Sequence, residues 1–276
     1  MTKVTMNPNK VLWEKGDFTK VAATMRASGV ALVAKLGITK DLDILDLGCG
    51  DGTTAIPAAK LAKSVLGVDI AINLVKAGNE RVIEEELANC NFEEGDAADL
   101  YSIADNSFDL IITVFGAMFS SNPFKVAKEM VRVTKQGGKI VMGNWIPEDP
   151  TLVAQILKIC SRYTPAPPEG FVSPMLWGVE KNITERFESA GIAKEHISFV
   201  KDTFTFNADY SPADFLGIFR NYYGPTMNAF EAAEKNGKED ELYAELEFLF
   251  KSQNKSISEN TTSIPATFLR VTVYCS

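Results

Sequence analysis

Two hydrophobic periods alternate along the chain. Short apolar runs of strand length are separated by stretches whose apolar positions recur every three or four residues, as buried strands and amphipathic helices require. The pattern predicts a leading helix over 18–36 and strands at 43–47, 64–68, 91–94, 108–114 and 139–142. Helices at 53–63, 70–87 and 123–133 fall between them, and Gly137-Gly138 reads as a helix stop before the fifth strand. Strand and helix in alternation imply a parallel sheet covered on both faces.

Beyond 145 the pattern changes. Pro147, Pro150, Pro165, Pro167, Pro168 and Pro174 punctuate a mixed stretch ahead of a helix at 180–190. Strand alternation returns at 197–206 and 266–274, with about sixty residues of helical spacing between them; a connection that long is usually a functional cover or a subdomain. The expected architecture is α/β: a Rossmann-like, seven-stranded, mostly parallel sheet with helices on both faces. A helical lid, 207–263, is inserted between the last two strands. The remaining parts of this single domain are an N-terminal helical cap (1–40), a cofactor-binding core (41–145), a Pro-rich lid segment (146–179) and the last strand (264–276).

The candidate chemistry starts at Ile44-Leu45-Asp46-Leu47-Gly48-Cys49-Gly50-Asp51-Gly52, where the first strand breaks into a glycine-dense turn ahead of a helix. Glycine is needed where backbone approaches a ligand or takes positive φ, and the helix start beyond offers free N–H groups. Ligands of such sheets sit at the carboxyl ends of the strands. Thr53 stands where the dinucleotide fingerprint has its third glycine, which argues against a nicotinamide oxidoreductase. Asp69 ends the second strand nineteen residues after Gly50, where an acid can accept hydrogen bonds from both ribose hydroxyls of an adenosine. Asp96 follows the third strand. Either acid alone reads equally well as a helix or turn cap. Acids after three successive strands, together with Gly48 and Gly50, favour a ligand.

This turn resembles motif I of the class I S-adenosylmethionine (SAM) dependent methyltransferases. Trp13-Glu14-Lys15-Gly16-Asp17-Phe18, Val114-Phe115-Gly116-Ala117-Met118-Phe119, Arg132-Val133-Thr134-Lys135-Gln136-Gly137-Gly138 and Asn144-Trp145 extend the likeness. They are similar to a small-molecule branch related to the ubiquinone and menaquinone biosynthesis methyltransferases. The resemblance covers most of residues 11–190, while the later insertion is individual to this chain. It implies SAM as cofactor and S-adenosylhomocysteine as product, with Asp46, Gly48, Cys49 and Gly50 in the binding turn. By the same likeness Asp69 and Ile70 lie at the ribose, and Asp96 and Ala97 at the adenine amine. Val114, Phe115 and Gly116 would flank the methionyl group, with the segment from Trp13 to Phe18 closing over it. Gln136 departs from the family, whose members commonly carry proline there; that turn is structural.

Composition narrows the acceptor. The 276 residues are 46% hydrophobic and 23% charged, with a net charge of −8, and polyanions are bound largely through Lys and Arg. No nucleic-acid partner is therefore expected; Asn122-Pro123-Phe124 also lacks the second proline of the amino-methylating DNA enzymes and lies eight residues past Val114. Met1 to Lys10 has no signal-peptide core. The longest apolar run, Leu110 to Phe119, is too short to span a bilayer. Cys49, Cys90, Cys160 and Cys275 show neither a C-x-x-C pair nor metal-ligand spacing, so no metal is expected and a cytoplasmic setting fits.

Residues 204–230 hold eight aromatics, about three times the chain average. Phe215 and Phe219 share a helix face and are expected to pack the insertion onto the sheet. Tyr222 and Tyr223 are the better acceptor-binding candidates, since a buried hydroxyl demands a partner. Trp13 and Phe18 are placed with them, and Trp145 and Trp177 are equally consistent with an opposite wall and with packing. His196, the single histidine, falls at the amino end of the sixth strand and reads as a surface or turn residue, so no catalytic base is assigned. The expected activity is methyl transfer to a small-molecule acceptor at oxygen, nitrogen or carbon. The alternative is a non-catalytic module of the same fold whose lid serves a protein partner.

Overall fold

The computed structural model describes residues 7–275. Three short helices, α1 (Pro8–Glu14), α2 (Thr19–Ala23) and α3 (Arg26–Val33), precede β1 (Asp43–Leu47), α4 (Ala55–Ala59), β2 (Ser64–Asp69), α5 (Ile72–Glu84), β3 (Cys90–Glu94) and β4 (Phe108–Val114). Next come α6 (Pro123–Val133), β5 (Thr134–Trp145), α7 (Leu152–Ser161), α8 (Glu180–Ser189) and β6 (Ile197–Ala208). The chain closes with α9 (Pro212–Tyr222), α10 (Gly224–Lys235), α11 (Glu239–Gln253) and β7 (Thr262–Tyr274).

The strands form one sheet in the order β3-β2-β1-β4-β5-β7-β6. Its first five members are parallel, and β7 lies antiparallel between β5 and β6. Central strands covered on both faces must be apolar throughout. Ile44, Leu45 and Leu47 of β1 and Leu110, Ile111 and Ile112 of β4 are shut off from solvent. The chain winds outward from β1 to β3 and then returns to β4 beside β1, so a crevice opens between their carboxyl ends.

Local chemistry sets the helix starts. Asn122 caps α6 by accepting from Lys125 N at 3.2 Å, with Pro123 in the first turn. Ser211 caps α9 through Asp214 N at 3.2 Å, ahead of Pro212. The core face of α6 then buries Val126, Met130 and Val133, each contributing about 1.5–3 kcal/mol.

The structure departs from the sequence expectations in particular places. The leading helix is two helices, broken where the Thr24 hydroxyl donates to the Val21 carbonyl at 2.7 Å and so competes with the helical pattern. Gly137-Gly138 does not stop a helix before β5; it lies inside a longer β5, where Cys275 N donates to the Gly138 carbonyl at 2.9 Å. Pairing with β7 thus outweighs the local glycine signal. Helices α1 and α7 have no counterpart in the expectation. The insertion between β6 and β7 is α9, α10 and α11, and these pack against α7 and α2.

Candidate active site

Two backbone turns meet at the carboxyl ends of β1 and β4. Gly48 and Gly50 take φ of +70° and +55°, a region that costs glycine nothing. Gly48 N donates to the Val68 carbonyl at 2.7 Å, tying the turn to β2. A Cβ on Gly48 would stand 2.5 Å from Gly116 Cα, and one on Gly116 would meet the Gly48 carbonyl. The turns therefore interlock through bare backbone. At Gly50 a Cβ would meet nothing within 4 Å, so this stretch of main chain lies open to whatever occupies the crevice.

Above the turns lies a cavity of about 950 Å³, open to solvent, with Asp69 and Asp96 on its lining. Asp69 accepts from Gly50 N at 2.8 Å and Ala71 N at 2.9 Å. Burial pushes its pKa up while these amides favour the charged form. Asp96 accepts from Ala98 N at 2.9 Å and from Asn7 Nδ2 at 3.0 Å. An ionised carboxylate offers about four lone-pair sites, so each acid retains acceptor capacity.

The structure brings most of the expected cofactor residues to this one cavity: Gly48, Cys49 and Gly50 from the first turn, Asp69 and Ile70 from the second, Asp96 and Ala97 from the third, and Val114, Phe115 and Gly116 from the fourth. Asp46 is the exception. It is fully buried and does not line the cavity. One oxygen accepts from the Thr54 hydroxyl at 2.6 Å, and Oδ1 has no hydrogen-bond partner among the described residues. Side chains alternate along a strand, so Asp46 sits beneath the turn instead of facing a ligand. Desolvation lifts its pKa to about 7 against the Thr54 hydrogen bond.

A second cavity of about 340 Å³ shares Trp13, Phe18, Met25, Phe115 and Phe119 with the first. Trp145 and Tyr223 line this one only. Tyr222 lines neither, because consecutive helix-end residues point about 100° apart; its carbonyl instead packs against Gly16. Phe219 reaches the second cavity, while Phe215 packs against Phe219 and Phe250. Trp177 is core: it is buried beneath the Arg186 guanidinium at 4.3 Å. His196 ends a short turn at the start of β6 and lines neither cavity.

Phe115 divides the two spaces. It takes φ of +60°, rare for a non-glycine residue, and its N–H donates to the Gly143 carbonyl at 2.9 Å. Its ring stacks on Trp145 with centroids 3.6 Å apart and planes 8° apart. Backbone strain of this kind, of order 1–3 kcal/mol, persists where surrounding packing over-determines it.

Helix α1 covers both cavities with Trp13, whose ring meets Phe18 and Phe119 edge-on at 5.4 and 4.7 Å. Polar contacts hold this cover. Lys10 pairs with Glu94 and with Glu14 (3.1 Å), and Glu14 accepts from Ile72 N at 3.2 Å at the start of α5. Lys15 reaches Asn228 at 2.6 Å and Glu231 at 2.7 Å on α10.

Sequence reasoning missed several lining residues. Asp51 and Thr53 lie within the recognised turn, and Arg26 binds both: its Nη1 reaches Asp51 Oδ1 at 2.8 Å. Proximity to the glycines could have flagged them. Met25 and Phe204 come from α2–α3 and β6 and carry no local signal.

Residues 45–142 match the family described as a methyltransferase domain. The chain is 28% identical over 228 residues to an uncharacterized protein of Mycobacterium tuberculosis, covering 81% of this chain and 80% of that one. Over 114 residues it is 34% identical to demethylmenaquinone methyltransferase of Renibacterium salmoninarum, covering 41% of this chain and 46% of the relative. Haemonchus contortus phosphoethanolamine N-methyltransferase 2, solved in complex with S-adenosyl-L-methionine, shares the fold with a TM-score of 0.53 at 21% identity, over 91% of this chain and 53% of that one.

Proposed function

We propose, on the premise that this chain is a SAM-dependent methyltransferase whose matched domain spans residues 45–142, that it methylates a small molecule held in the aromatic second cavity. One observation carries the reading: the two cavities share a wall of Trp13, Phe18, Met25, Phe115 and Phe119, so a guest in the smaller abuts one in the larger.

The larger cavity fits the cofactor. Gly50 leaves main chain uncovered on one side, and Asp69 and Asp96 retain acceptor capacity beside it. In this reading Asp69 accepts from the ribose hydroxyls and Asp96 from the adenine amine. Val114, Phe115 and Gly116 flank the methionyl end. The cofactor supplies a methyl group on a cationic sulfonium sulfur and is left as S-adenosylhomocysteine.

The protein then needs to orient an acceptor and exclude water. Trp13 and Phe18 supply the cover from the N-terminal side. The segments 146–179 and 207–263 act as lids: Val153 on α7, Phe219 on α9 and Tyr223 at its end face the acceptor space. Neither His196 nor any carboxylate lines the second cavity among the described residues, so no side chain is assigned as a base. A lining made almost wholly of apolar and aromatic side chains suits a small molecule better than a polymer, and the net charge of −8 argues against a nucleic acid. Four free, buried cysteines support a reducing, cytoplasmic setting.

Incubating the protein with methyl-labelled SAM and a metabolite extract, followed by mass spectrometry, tests the reading. Label in a low-mass product is expected. Label only in protein or nucleic acid, or none at all despite bound SAM, would refute it.

A further inference from the structure

The glycine turn is gripped at both ends. Its main chain takes positive φ at Gly48, Gly50 and Gly52 and is loose unless neighbours fix it. The Gly48–Gly116 interlock holds its start. Its end is held from α3, where a Cβ on Gly29 would collide with the Thr53 carbonyl. Arg26 lies one helical turn before Gly29, on the same face. Its guanidinium grips both oxygens of Asp51, one of them at 2.8 Å, and also donates to the Thr53 hydroxyl. From α5, Arg81 donates to the Asp51 carbonyl at 2.6 Å. Asp51 and Thr53 line the larger cavity, whereas Arg26 does not.

Stability alone is a poor reason for this pair. The Asp51 side chain is 3% exposed and that of Arg26 27%, and at such burial desolvation offsets much of the attraction. What a two-pronged guanidinium–carboxylate contact does supply is fixed geometry. The place it fixes follows Gly50, beside Gly116 and two strands away from the one that Asp96 follows. In the reading above, adenine and ribose go to Asp96 and Asp69. The methyl donor's amino-acid end, an ammonium and a carboxylate at neutral pH, is left for the turn. Resting on that reading, we infer that Arg26 is a positioning residue for this amino-acid end, acting through Asp51 and Thr53. An ionised carboxylate has about four acceptor sites, so Asp51 takes the ammonium while keeping Arg26. The ligand then meets acceptors already in place instead of a loose turn.

Two ligands separate this role from a merely structural one: S-adenosylhomocysteine carries the amino-acid end, and 5′-methylthioadenosine lacks it. Calorimetry on the full-length chain measures both affinities in the parent and in Arg26→Ala, Arg26→Lys and Asp51→Asn. Arg26→Ala and Asp51→Asn should weaken S-adenosylhomocysteine roughly tenfold or more, the size of a lost contact to a charged group, and leave 5′-methylthioadenosine within about twofold. Arg26→Lys keeps the charge but not the fork, so its S-adenosylhomocysteine affinity should fall between those of the parent and Arg26→Ala. Loss of both ligands in equal proportion, unchanged S-adenosylhomocysteine affinity, or failure of 5′-methylthioadenosine to bind the parent overturns the inference. Should Arg26→Ala not fold, Arg26→Lys and Asp51→Asn carry the same comparison. The parent's S-adenosylhomocysteine titration comes first. Its failure defeats the methyl-transfer reading, whereas a loss that ignores the amino-acid end defeats only the role of Arg26.

Discussion

Asp46 and Asp69 lie near the carboxyl ends of the neighbouring strands β1 and β2 and have different duties. Asp69 lines the cavity with two amide donors holding its carboxylate in place. Asp69→Ala should weaken SAM binding by about 1.5–3 kcal/mol, the worth of hydrogen bonds to a charged acceptor; calorimetry on the folded variant measures it, and unchanged affinity would exclude a direct contact. Asp46 is buried with one orphaned oxygen and a pKa raised from 3.8 to about 7. Its folded pKa lies above the unfolded one, so between these values the native state binds the extra proton and stability falls as pH rises. The contribution is fully present below about pH 4 and lost by about pH 7. Asp46→Asn removes this titration. In thermal melts the variant should therefore gain on the parent as pH goes from 5 to 8, and a difference independent of pH would show that Asp46 stays ionised. The motif reading grouped both acids because spacing reports position along a strand, not which face a side chain takes.

The interlocked turns show what elements add to residues. Gly48 and Gly116 lie far apart in sequence, yet each excludes a Cβ on the other. Gly116→Ala should therefore destabilise the fold by about 1–3 kcal/mol through forced backbone shifts, read as a drop in melting temperature. Gly50→Ala has open space around its Cβ but φ of +55°. It should cost only about 1 kcal/mol of stability while reducing SAM affinity by placing a methyl in the crevice. If both variants lose stability alike and bind SAM normally, the turn is only a structural hinge. The glycine turn, β1, β4 and the helices at 72–84 and 123–133 were legible because periodicity, caps and glycines agree there. The extent of β5 was not, since the Gly137-Gly138 signal yields to pairing with β7.

Across the whole molecule, α1 is the least buried cover of the site. It buries no residue fully, and beside the ring contacts of Trp13 it is fastened by partly exposed ion pairs and a hydrogen bond. Exposed pairs contribute about 0–1 kcal/mol each, so local opening of residues 8–18 should be frequent. Hydrogen exchange should be fast there in the free protein and slow severalfold with S-adenosylhomocysteine bound, while β1 and β4 remain protected in both states. Equal exchange with and without the ligand would mean that this segment does not cover it.

The amino-acid order alone determined the strand–helix alternation, the glycine turn, and the acids that follow successive strands. These rest on local periodicity and backbone chemistry, which act within a few residues. Only the folded chain decided which acid faces the crevice, that Tyr223 and not Tyr222 reaches the second cavity, and that rings from 13–18, 115–119, 145, 206 and 219–223 converge on one space. Those outcomes depend on packing between elements separated by up to two hundred residues, and no local pattern encodes such distances.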